Sequence, residues 1–131
     1  MRYEANSLIL SLALLRSPAY AHHSFAAEYN SDKPVQITGT VTKVEWTNPH
    51  VHFYVDVKNN QGEVVNWNIE LGPPLILRHL GWRQDSLKTG DQVTVEGYLA
   101  KDQSNLANAK KVTLADGRSV FVGSSAEKRG E

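Results

Sequence analysis

From Val35 onward, apolar and polar residues alternate with the period of two that marks half-buried strands. The stretch "VQITGTVTKVEW" puts Val35, Ile37 and Val41 on one side around Gly39; then the phase slips, so that Val44 and Trp46 join the apolar side. A slip near Thr42 and Lys43 predicts a β-bulge in a long, bent strand. "TNP", Thr47 to Pro49, breaks that strand. In "HVHFYVDV" the residues Val51, Phe53, Val55 and Val57 share one face, and His50, His52, Tyr54 and Asp56 share the other. "VVNWNIEL" continues the pattern with Val65, Trp67, Ile69 and Leu71 inward and Asn66, Asn68 and Glu70 outward.

The loop between these two strands sets their register. A three-residue loop of Asn60, Gln61 and Gly62, with Gly62 left-handed, brings Phe53 opposite Ile69 and makes the apolar faces coincide. A two-residue loop puts them out of phase. In the first register His52 lies directly opposite Glu70, and His50 sits near the same end of the sheet.

After Gly72, "PPLILRHL" begins with prolines that a first helical turn tolerates and stops at Gly81, as one short helix does. Trp82 is then free to pack back onto it. "SLKTGD" is a turn into the strand "QVTVEGYLA", and "AKKVTL", Asp116-Gly117 and "SVFV" supply a last strand and hairpin. A meander of three strands with a bulged first strand, a short helix and two or more further strands predicts an all-β fold, a small five-stranded Greek-key barrel of the OB type. The barrel domain is expected over 35–122, with an arm over 22–34 and a loose tail over 123–131.

Composition narrows the function classes. With 131 residues, 14 Lys+Arg against 14 Asp+Glu and no Cys, the chain suits one small domain, and its neutral balance argues against nucleic acid as a partner. The missing cysteines exclude disulfides and thiolate metal sites. Ahead of the domain, Arg2, the apolar run "SLILSLALL" (Ser7 to Leu15) and "AYA" (Ala19 to Ala21) read as a signal peptide over 1–21, although Glu4 and Arg16 are uncommon in one. The apolar run is too short to span a bilayer, so no membrane span is expected after processing, and the location is periplasmic or secreted. The rival is an amphipathic N-terminal helix that stays attached. Cleavage after Ala21 makes His22 the first residue.

Four of the 5 histidines fall in two pairs, His22-His23 and His50-x-His52. Two imidazoles at i and i+2 on a strand share a face and form half a metal site. A terminal His22 adds an amine and a ring nitrogen from one residue, a histidine brace, which suits copper first and zinc second. Glu70 is the nearby carboxylate, as a ligand or as the group that holds a histidine ring in its tautomer. The bland alternatives are that His50 caps a strand end and that His52 and Glu70 form an ordinary cross-strand pair. His79, near the end of the short helix, suits the helix dipole instead. With no G-x-S-x-G, phosphate loop or H-E-x-x-H, the chain carries no sign of a nucleophilic or acid-base enzyme.

The segments "AHHSFAAEY", "VEWTNPH", "VVNWNIELGPP", "GWRQDSLKTGDQVTVEGYLAKD" and "VTLADGRSVFVGSS" resemble a family of small exported bacterial proteins classed as a domain of unknown function, number 6152. The resemblance spans His22 to Ser125. It implies a secreted or periplasmic domain and carries no established activity, ligand or catalytic residue. "HHSF" and "NPH" are typical of that family, whereas the position of His52 commonly holds another residue there; the resemblance therefore moves weight to His22 or His23 with His50. The expected function is metal binding through the mature N-terminal histidine and His50, as a binding or carrier protein. The alternatives are a non-metal module that binds a glycan or an envelope protein, and a copper-dependent oxidative enzyme.

Overall fold

The structure, a computed structural model, describes residues 25–121. The expected signal peptide, His22, His23 and the tail over 123–131 lie outside these residues. The order of elements is α1 (Phe25–Glu28), β1 (Tyr29–Glu45), β2 (His52–Lys58), β3 (Val64–Glu70), α2 (Pro74–His79), β4 (Gln92–Ala100), β5 (Leu106–Leu114) and β6 (Ser119–Phe121).

The sheet runs β3-β2-β1-β4-β5-β6 and closes on itself through a parallel β3–β5 pairing, Asn68 to Glu70 against Leu106 to Asn108. Five strands thus form a closed barrel of the OB type, and β6 adds to β5 outside the ring. β1 serves two partners because it bends: its Pro34 to Thr40 stretch pairs with β4, and Thr40 to Glu45 pairs with β2. Gly39 stands where the strand passes from one partner to the other. A Cβ there would lie 2.1 Å from the Asp56 carbonyl oxygen, so the close approach of β1 and β2 needs a glycine. The expected bulge is present, with the β1–β2 register shifting between Val41 and Lys43.

The first hairpin has the expected register, Phe53 opposite Ile69 and His52 opposite Glu70. Its loop closes through Asn59 N–H to the Glu63 carbonyl at 2.8 Å and Gly62 N–H to the Asn59 carbonyl at 3.0 Å. Gly62 has φ of +78°, the left-handed value that the register requires. Gly62→Val is expected to cost about 1 kcal/mol or more, read as a lowered denaturation midpoint, because a β-branched residue tolerates this φ poorly.

Side chains from every barrel strand fill one core, with Val41, Phe53, Val55, Ile69, Val95 and Val112 essentially sealed from solvent. α2 closes one end by inserting Leu77, and Trp82 folds back to bond the Leu77 carbonyl at 2.9 Å and joins the core. Trp46 and Trp67, on the inward phase, pack against this core while half-buried.

The difference from the sequence expectation lies at the start. β1 begins at Tyr29, not Val35, and is preceded by α1. "YNSDKP" lacks apolar alternation, and tertiary contacts hold it instead: Tyr29 pairs with Ala100, and Lys101 N–H donates to the Glu28 carbonyl at 2.8 Å. Phe25, Tyr29 and Ala100 form a second apolar cluster, with Tyr98 and Leu106 packed against it. Alternation along β4 and β5 places Tyr98 and Leu106 on the outer face of the barrel, so the N-terminal arm lies over that face.

Candidate functional site

Glu70 points outward, as its phase predicts, yet it is only 7% exposed because the arm lies over it. A buried carboxylate is costly unless it is hydrogen-bonded, and both of its oxygens have partners. Tyr29 O–H donates to Oε2, and His50 Nδ1 lies 2.6 Å from Oε1. The result is a line of three side chains, Tyr29, Glu70 and His50, drawn from the arm, the end of β3 and the loop ahead of β2.

This arrangement orients His50. With Nδ1–H given to the carboxylate, the neutral ring carries its lone pair on Nε2, the atom available to a ligand. The imidazole is 37% exposed, so one edge is open while the other is anchored. Neighbouring main-chain bonds fix the loop as well: Val51 N–H donates to the Gly72 carbonyl at 3.0 Å, and Leu71 N–H to the Val51 carbonyl at 2.8 Å.

Burial of the Tyr29 hydroxyl is the main cause that raises its pKa far above the ordinary phenol value of 10.0, and the hydrogen bond to Glu70 adds to it. The phenol therefore remains a donor throughout the neutral and mildly alkaline range. A raised folded-state pKa means that the stabilisation is complete below about pH 10 and is lost as the pH climbs above it. Tyr29→Phe removes this dependence. Melting temperatures between pH 8 and pH 11.5 are expected to fall more steeply in the wild type than in the variant over the alkaline part. Equal slopes would show that the phenol does not carry this linkage.

His52 is built differently from the expected cross-strand pair. It faces Glu70 in the backbone register, but its Nδ1 lies 2.7 Å from Asn68 Oδ1, because Glu70 is already engaged by Tyr29 and His50. Glu70 is thus brought together with His50, and His52 is turned aside. His22 and His23 lie outside the described residues. Among the described residues, no group of three or more His, Cys, Asp or Glu side chains is gathered closely enough to hold a metal ion.

Two residues of this region went unread in the sequence, Tyr29 and Asn108. Tyr29 ends the motif "AHHSFAAEY" but precedes the alternation, and Asn108 sits in a strand with no polar periodicity to mark it.

The sequence profile of a family of unknown function, DUF6152, matches residues 9–109, well over half of the chain. The chain belongs to that family. A comparison with curated proteins finds no match. Among solved structures, this DUF6152 chain is similar to the mitochondrial single-stranded DNA-binding protein Rim1 of S. cerevisiae in two crystal forms. One is 15% identical with a TM-score of 0.49, covering 63% of this chain and 93% of that one. The other is 17% identical with a TM-score of 0.48, covering 63% and 92%. Among the described residues of the DUF6152 chain, no helix is long and apolar enough to cross a membrane.

Proposed function

We propose that this domain binds a transition-metal ion, copper before zinc, through His50 Nε2 and the amine and imidazole of a mature N-terminal His22, with His23 beside it as a further donor. Export followed by cleavage after Ala21 is part of the proposal, since it creates the terminal amine, and it puts the protein in the periplasm or outside the cell.

The observation that carries this reading is the anchoring of His50. A carboxylate on Nδ1 with Nε2 left open is the arrangement that orients a histidine ligand and raises its basicity. The position of the arm supports the second half. Phe25 stacks on Tyr29 at 5.5 Å between ring centroids, Tyr29 bonds Glu70, and Glu70 holds His50. His22 precedes Phe25 by three residues, a covalent tether of at most ~10 Å. The donor chemistry supports the choice of metal: both Glu70 oxygens are engaged, which leaves imidazole and amine nitrogens, and these suit copper and zinc rather than magnesium or calcium.

Calorimetric titration of the processed protein with Cu(II) tests the proposal, together with an electron paramagnetic resonance spectrum read for nitrogen couplings. Tight one-to-one binding with several nitrogen donors is expected. Absence of binding by protein whose mass confirms a His22 terminus would overturn the metal reading.

A second reading rests on α2. Leu75 and Ile76 of this helix and Leu80 at its C-cap are exposed by 62%, 43% and 47%, a cluster of large apolar side chains left to water. That face favours an interaction module for an envelope protein, and it is the reading to adopt should copper fail to bind.

A further inference from the structure

The ring of strands is sealed along only part of β5. Its first half, Leu106 to Asn108, pairs with β3, but Lys111 to Thr113 pairs with β6 instead. Cα partners in an antiparallel pair share a face, so Val120 of β6 stands beside Val112, which is buried in the core. The inner surface of the barrel thus continues onto β6, past the point where the ring closes. The segment after α2 packs Trp82 and Leu87 against the core opposite this extension, and a cavity of about 340 Å³ remains between the two.

That volume lies within the range of small-molecule sites, roughly 300 to 1,000 Å³. Trp82, Leu87, Val112, Leu114 and Val120 give the cavity apolar walls, and Ser86, Arg118 and Ser119 give it polar groups. Ser119 is engaged, its Oγ 3.1 Å from Thr113 Oγ1. The others are donors with capacity to spare. Arg118 gives its Nε–H to Asp116 Oδ2 at 2.5 Å, and the terminal nitrogens of its guanidinium have no partner among the described residues. Ser86 Oγ accepts the Arg83 N–H at 2.7 Å and keeps its own O–H to give. The Trp82 Nε1–H is a third donor, buried with no acceptor among the described residues.

A ligand matched to this pattern has an apolar body and accepts hydrogen bonds at one end. An ionised carboxylate only accepts, and it suits a guanidinium fork. Charge narrows the choice further. Asp116 already pairs with Arg118, and the groove alongside, which shares Gly81 and Trp82, holds Arg78 and Arg83 against Asp85. Three arginines against two aspartates leave one positive charge, which suits a monoanion better than a doubly charged phosphate. At ~30 Å³ for a water-sized volume, the cavity takes a body of about ten non-hydrogen atoms.

We propose that this cavity binds a monocarboxylate with an apolar body of that size, its chain between Trp82, Leu87 and Val120 and its carboxylate on Arg118. None of Tyr29, Glu70 and His50 lines it, so the site does not depend on the metal reading.

Decanoate is the probe, titrated below its micelle concentration into the protein isolated from a bacterial host, with 1-decanol and decyl phosphate for comparison. Calorimetry is expected to show saturable one-to-one binding of decanoate, and nuclear magnetic resonance a shift of the Trp82 indole N–H. Arg118→Gln changes a side chain that is 74% exposed, so the fold should hold. It is expected to lower decanoate affinity about tenfold or more, as loss of a hydrogen bond to a charged group does, and to leave decanol affinity unchanged. Val120→Trp fills the cavity and should weaken both ligands, and melting curves of the free variants confirm that each is folded. No saturable binding, or equal decanoate affinity in wild type and Arg118→Gln, would overturn the proposal. So would resonance changes confined to Leu75, Ile76 and Leu80 on the exposed helix face. Tighter binding of decyl phosphate than of decanoate would overturn the choice of a monoanion.

Discussion

Acetylation of the His22 amine in the processed protein is expected to lower Cu(II) affinity on the order of 100-fold or more while leaving the melting temperature unchanged. The size follows from what is lost. Groups that only orient a ligand are worth about 10- to 100-fold in affinity, and acetylation removes a direct donor by converting the His22 amine into an amide. It also breaks the chelate between amine and ring of one residue. Stability should hold because the barrel core and the Phe25–Tyr29 cluster lie downstream of the change. His50→Ala is expected to act as strongly, since it removes the imidazole that Glu70 holds in place, whereas His52→Ala, whose ring bonds Asn68, should matter far less. Calorimetry and paramagnetic resonance on the four proteins check this. Equal affinity in the mature and acetylated forms would remove the terminal amine from the site.

Gly39→Ala is expected to cost about 3 to 5 kcal/mol of stability. The added Cβ would lie 2.1 Å from the Asp56 carbonyl oxygen and 2.8 Å from Val55 Cγ1. The first of these is a backbone atom held in the β1–β2 ladder, so no rotamer change relieves the contact, and the sheet must open where β1 passes from β4 to β2. For a domain of about this size the cost corresponds to a fall of at least ~10 °C in melting temperature. A thermal melt followed by circular dichroism measures it, and a fall of less than ~3 °C would mean that β1 and β2 separate easily there. Gly62→Val should be much milder, because its hairpin loop has open space around it and only the backbone φ resists.

The contrast between these two glycines reflects how information is distributed along the chain. Gly62 was readable locally, since the register of Phe53 against Ile69 depends on loop length and on the parity of two alternating strands. The bulge at Val41 to Lys43 was readable for the same reason, as a slip in phase. The short helix declared itself through Pro73, Pro74 and Gly81. These features obey rules that span a few residues, and the one-dimensional pattern therefore specifies the barrel strands, the first hairpin and the OB-type order.

The site follows different rules. Pattern alone put Glu70 on an outer strand face and paired it with His52; neither its burial nor its choice of His50 and Tyr29 could be read there. Tyr29 is 41 residues from Glu70, in a segment without alternation, and it reaches the carboxylate because Phe25 and Tyr29 find apolar partners in Tyr98, Ala100 and Leu106. Once the arm covers that face, Glu70 loses water and must take every donor within reach, which leaves His52 to Asn68. Asn108 Oδ1, buried in the neighbouring strand, has no hydrogen-bond partner among the described residues. Residue types and short-range periodicity thus settled the strands, their register and the histidines worth watching. The partners of the buried carboxylate were settled by burial itself, which arises when segments distant in sequence close over one another and compete for the same few polar atoms.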